Sequence, residues 1–123
     1  MIRALLVYPD NPSHRGVLNS LAREPGLSLV ADCVYVDDAM EKIETLRPDV
    51  VFVGVEASGP ISLGALNWPG YSKRPHVVVI SDCERYALEA FAINAVDYLL
   101  IPMDQARLKA ALYKLRRDRK SVV

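Results

Sequence analysis

Asp49–Gly59 reads DVVFVGVEASG. A run of Val and Phe this dense, entered through Arg47-Pro48 and left through Glu56, Ala57, Ser58 and Gly59, predicts a strand buried on both faces. Such a strand sits near the middle of an open parallel sheet. Ligands and reacting groups of such sheets gather outside the carboxyl ends of the strands. The residue where this strand empties into its loop is therefore the candidate functional position, and it is Gly54, which has no side chain.

Working outward, Ile2–Tyr8 reads as a first buried strand, closed by Pro9 and Asp10. Asn11-Pro12 supplies an N-cap and first helical position, and Val17, Leu18, Leu21 and Ala22 share one face of the helix that follows. Leu27–Val34 predicts a second strand. Asp37 is the expected cap of a second helix carrying Ala39, Met40, Ile43 and Leu46. Beyond the central strand, Ile61–Leu66 could form a short helix, but Gly59, Pro60, Gly64, Pro69 and Gly70 interrupt it. His76–Ser81 is a fourth strand, Tyr86 to Phe91 a helix, Asp97–Ile101 a fifth strand, and Asp104 caps a last helix with Leu108, Ala111, Leu112 and Leu115 on one face.

Five strands alternating with five helices through short connections imply a doubly wound α/β domain. Its sheet is parallel, its helices lie on both faces, and the common strand order is 2-1-3-4-5. That order puts strands two and four roughly 14 Å apart, beyond the reach of a disulfide between Cys33 and Cys83. Both are read as reduced thiols.

The 123 residues suit one core. Fifteen Lys plus Arg balance fifteen Asp plus Glu, so no net field draws the domain to nucleic acid or membrane. Seven of those cations nevertheless fall between Arg107 and Lys120, which makes the C-terminus a basic end on a neutral body. No apolar run approaches a membrane span and the start does not read as a signal peptide, so a cytoplasmic location is expected. Residues 1–117 are read as the domain, and 118–123 as a basic tail or the start of a linker.

The run Tyr86–Leu112, YALEAFAINAVDYLLIPMDQARLKAAL, closely resembles the receiver domains of bacterial response regulators, in particular those of LytTR-type transcription regulators. The resemblance extends from the first strand to the last helix and implies a flavodoxin-like fold. It also implies a chemistry: an aspartate ending strand three takes a phosphoryl group, two acids after strand one help hold Mg²⁺, and a lysine before a proline after strand five clamps the phosphoryl oxygens. Transposed residue by residue, the acceptor position is Gly54, the acidic pair is Tyr8 and Pro9, and the clamp is Ile101, with Pro102 retained and expected in cis. Ser81 matches the hydroxyl ending strand four, and Tyr98 the switch aromatic of strand five. Losing the nucleophile, both metal acids and the clamp together implies a receiver that has abandoned the reaction and is not an enzyme.

Around this degenerate pocket, Asp10 and Glu56 are read as solvated loop acids, since neither occupies a matched ligand position. No metal or other cofactor is expected. Tyr8 and Ile101 are expected to fill the hollow, with the Tyr8 hydroxyl taking a polar partner such as Ser81. Ser81 and Tyr98 are read as a static pair, and His14 as a surface residue. Trp68 is expected to pack on the sheet or meet a partner.

Two functions follow. In the first, the domain works by contact with a protein partner or with a second copy of itself. The surface would be the helix before strand five, strand five and the last helix, with Arg85, Glu89, Asp97, Arg107 and Lys114 as exposed candidates. DNA would be reached only through an attached output domain. The alternative is a ligand-sensing domain that takes a small molecule in the altered crevice.

Overall fold

The computed structural model describes residues 1–56 and 75–121, with side chains up to residue 117. The expected helix at Ile61–Leu66 and Trp68 lie outside the described residues. In chain order the elements are β1 (Ile2–Val7), α1 (Pro12–Ala22), β2 (Leu27–Cys33), α2 (Val36–Leu46), β3 (Val50–Val55), β4 (His76–Ser81), α3 (Ala87–Ala92), β5 (Asp97–Leu100) and α4 (Gln105–Ser121). The five strands form one parallel sheet of order β2-β1-β3-β4-β5.

Alternation along the strands divides the core in two. Ile2, Ala4, Leu6, Tyr8, Val50, Phe52, Val78, Ile80 and Leu99 face α1 and α4, meeting Val17 and Leu21 from one and Leu108, Ala111, Leu112 and Leu115 from the other. Leu5, Val7, Val51, Val53, Val55, Val77 and Val79 face α2 and α3, packing on Ala39, Ile43 and Ala90. Every residue of β3 is buried, as its composition predicts. At about 1.5–3 kcal/mol per fully buried aliphatic side chain, the two clusters supply the main stabilisation of the domain.

Capping fixes the helix ends. The Asn11 side chain accepts the Ser13 N–H at 2.9 Å ahead of Pro12. Asp104 accepts the Ala106 N–H at 2.9 Å at the start of α4. The second helix departs from expectation: it begins at Val36 after Tyr35, which makes no side-chain cap, and Asp37 and Asp38 lie in its first turn. There the two carboxylates favour the helix through its dipole. Its far end turns through Arg47 in the left-handed conformation, φ 49°, and the Arg3 guanidinium donates to the free carbonyls of Leu46 (2.8 Å) and Arg47 (3.0 Å).

Candidate functional site

The crevice lies where β1 and β3 end side by side, Leu6 opposite Phe52 and Val7 opposite Val53. Continuing the alternation, Tyr8 and Gly54 emerge on the α1 and α4 side of the sheet. The Tyr8 ring lies over Gly54 and is wholly buried. A Cβ on Gly54 would stand 2.7 Å from Tyr8 Cγ and 2.5 Å from Cε2, and closer still to Cδ2, which no real Cβ tolerates. Glycine at 54 is thus required by the aromatic at 8. The hollow is filled by the chain itself.

The phenol is also anchored. Its hydroxyl donates to Glu56 Oε1 at 2.7 Å, and the second carboxylate oxygen accepts Asn11 Nδ2 at 2.7 Å. Burial first, then the bond to Glu56 and its negative charge, push the Tyr8 pKa far above its ordinary value. Glu56 is therefore a partly buried acceptor for two side chains and not a solvated loop acid. Its role was missed because the sequence reading offered Ser81 to the Tyr8 hydroxyl. Glu56 stands two residues beyond Gly54 on the neighbouring strand, which is the signal that could have found it.

His14 also departs from its sequence reading as a surface residue. Its side chain is only 13 % exposed, its Nε2 lies 2.7 Å from Asp32 Oδ1, and its ring packs edge-on against Tyr8 at 5.7 Å between centroids. Asp10 is exposed, and Pro9 is buried beside the crevice.

The Mg²⁺ that the resemblance implies does not fit this donor set. Both Glu56 oxygens are engaged by hydrogen-bond donors, and Pro9 has no side-chain ligand. Among the described residues, no group of three or more His, Cys, Asp or Glu side chains could hold a metal ion.

On the other flank, Ile101 follows β5, packs against the core that contains Tyr8 and donates its N–H to the Ser81 carbonyl at 2.9 Å. The Ile101–Pro102 bond is cis. Ser81 and Tyr98 do not bond each other. They meet through Cys83, whose N–H donates to Ser81 Oγ at 3.3 Å and whose carbonyl accepts the Tyr98 hydroxyl at 2.6 Å. Cys33 and Cys83 are free thiols, and burial pushes the Cys33 thiol pKa up.

Among the five surface candidates, Arg85, Glu89, Arg107 and Lys114 are exposed. Asp97 is not: its side chain is 9 % exposed, held beneath Arg107 Nη2 at 3.1 Å and Lys114 Nζ at 3.2 Å. Around them stand apolar side chains the sequence did not single out. Leu88 and Phe91 on α3 are more than four-fifths exposed, and Leu100 on β5 and Tyr113 on α4 are also exposed.

No protein-family profile matches the chain. Among curated proteins it is 33 % identical over 118 residues to an uncharacterized response regulatory protein of Yersinia pestis, covering 96 % of this chain and 50 % of that one. It is 32 % identical over 120 residues to the transcriptional regulatory protein BtsR of Salmonella typhi, covering 97 % of this chain and again 50 % of the relative. The chain thus spans about half the length of the curated relatives it matches. Among solved structures, the response regulatory domain of mrkE from Klebsiella pneumoniae superposes with a TM-score of 0.78 at 19 % identity, covering 95 % of this chain and 97 % of that one.

The chain's curated relatives are response regulators, and its fold is that of their receiver domains. Its sheet order and the placement of its helices are those of the receiver fold. Just beyond β1 the chain carries the buried phenol of Tyr8, and Gly54 lies beneath its ring. No helix among the described residues is long and apolar enough to cross a membrane.

Proposed function

We propose that this receiver takes no phosphoryl group and acts in signal transduction through protein contacts, as the regulatory domain of a LytTR-type transcription regulator. The observation that carries the reading is the seating of the Tyr8 ring over Gly54. An in-line phosphoryl transfer needs a nucleophile, a hard cation with oxygen ligands and a positive clamp converging on one hollow. Here that hollow contains an aromatic ring locked by Glu56, the acceptor position has no side chain, and an aliphatic residue, Ile101, stands at the clamp.

The contact surface proposed is the face of α3, β5 and α4. Leu88 and Phe91 supply exposed apolar area there, flanked by Arg85 and Glu89, while Arg107 and Lys114 stand over Asp97. Residues 118–123 are proposed as the start of a linker to an output domain, through which any DNA contact would be made. Support comes from BtsR, a transcriptional regulatory protein about twice as long as this chain.

The test is intact mass after incubation with Mg²⁺ and acetyl phosphate, beside an ordinary receiver. An unchanged mass is expected. A stoichiometric, alkali-labile adduct would overturn the reading.

A further inference from the structure

Glu56 makes a third contact that the filling of the crevice does not require. Its main-chain carbonyl accepts the Tyr86 hydroxyl at 3.3 Å, so three side chains from separate parts of the chain converge on this one residue. Tyr8 follows β1, Asn11 caps α1, and Tyr86 is the N-cap residue of α3. The loop from β4 to α3 is thereby tied down at two points. Tyr98 holds Cys83 from β5, and Glu56 holds Tyr86 from the crevice. Two residues beyond Tyr86 comes Leu88, and three further Phe91, both large apolar side chains exposed on α3.

We propose that Glu56 couples the filled crevice to the α3 face, so that the presentation of Leu88 and Phe91 is set by a fixed internal carboxylate residue and not by a transferred group. This rests on the reading of the chain as a receiver that is not phosphorylated. The Tyr8 and Asn11 bonds fix where the Glu56 side chain lies, and with it the main chain at the end of β3. That main chain in turn positions the Tyr86 ring, which packs on the α2 and α3 side of the core. The route runs from the N-cap of α1 through Glu56 to the first turn of α3 and crosses the sheet from one helical layer to the other. Glu56 acts here as a positioning residue, through Tyr86.

Hydrogen exchange read by mass spectrometry on the full chain tests this, with Glu56→Ala and Tyr86→Phe compared against the unsubstituted protein. Tyr86→Phe keeps the ring and its packing and removes only the hydroxyl. Exchange across residues 84–93 is expected to rise about fivefold in both variants, the loss of one ordinary hydrogen bond. In Tyr86→Phe, residues 2–8 should keep their protection. If Tyr86→Phe exchanges at 84–93 as the unsubstituted protein does, the coupling is overturned and the network only seals the crevice. Should Glu56→Ala fail to fold, Tyr8→Phe, which frees Glu56 Oε1 from the crevice, takes its place, and unchanged exchange at 84–93 in that variant overturns the coupling. The mass measurement with acetyl phosphate is independent: an adduct there removes the underlying reading whatever the exchange shows.

Discussion

The ring of Tyr8 occupies the space that any side chain at Gly54 would need. The two residues are neighbours across β1 and β3 and form one packing unit: glycine gives the aromatic its seat, and the aromatic covers backbone that glycine would leave bare.

Gly54→Asp alone is expected to fail as a restoration of phosphorylation and to destabilise the domain by about 2–4 kcal/mol, through overpacking and the burial of an unpaired carboxylate. Adding Tyr8→Ala should return part of that loss. A double-mutant cycle by urea unfolding checks this, with coupling of more than about 1 kcal/mol expected between the two sites.

Tyr8→Phe removes one hydroxyl and leaves Glu56 Oε1 without its donor; about 1–2 kcal/mol of stability should go with it. Tyr8→Ala should cost about 3–5 kcal/mol, because it empties an aromatic-sized space. If that space is the one described, para-cresol will raise the Tm of Tyr8→Ala saturably and leave the unsubstituted protein unaffected.

Alkaline pH offers a direct reading of the same buried phenol. Because folding raises the Tyr8 pKa above 10.0, its contribution to stability is fully present below that value and is lost as pH rises through the folded pKa. Tyrosinate absorbance should show that one of the six tyrosines does not ionise until the chain unfolds. In Tyr8→Phe that late step should disappear.

Asp97 governs the acid side. Burial pushes its pKa up, but the Tyr98 N–H, Lys114 and Arg107 together outweigh burial and hold the carboxyl below its ordinary value. Its contribution is present above the unfolded pKa and falls away as pH drops through the folded one. Asp97→Asn should flatten this acid loss while lowering stability near neutral pH by about 1 kcal/mol, the partners being half exposed. Urea titrations across the acid range would show both effects.

If α3 is the contact surface, Leu88→Glu or Phe91→Glu will disrupt self-association or partner binding, measured by sedimentation, without lowering the Tm of the monomer. Both side chains are solvent-exposed, so the substitutions should cost less than about 0.5 kcal/mol of fold stability.

Where a single segment carried the signal, the sequence was enough. The doubly buried strand at Val50–Val55, the Asn11-Pro12 helix start and the strand His76–Ser81 are local patterns, and the observed order is the common one for such an alternation. The cis bond before Pro102 came from the resemblance. The parts that went astray depend on which distant groups the fold brings together. Asp97 is a charge like any other until α4 is packed across β5 and places Arg107 and Lys114 over it. His14 meets Asp32 only because α1 starts and β2 ends at the same rim. The partner of the Tyr8 hydroxyl required knowing that the end of β3 brings the Glu56 carboxylate to 2.7 Å from it.

The fit between positions 8 and 54 also constrains the order in which substitutions can accumulate. An aromatic at 8 can take this seat only once 54 is glycine, and after it is seated every larger residue at 54 is excluded until 8 shrinks again. Return therefore passes through a step that opens a void or a step that forces a clash. The geometry works as a ratchet, making glycine at 54 far easier to acquire than to replace.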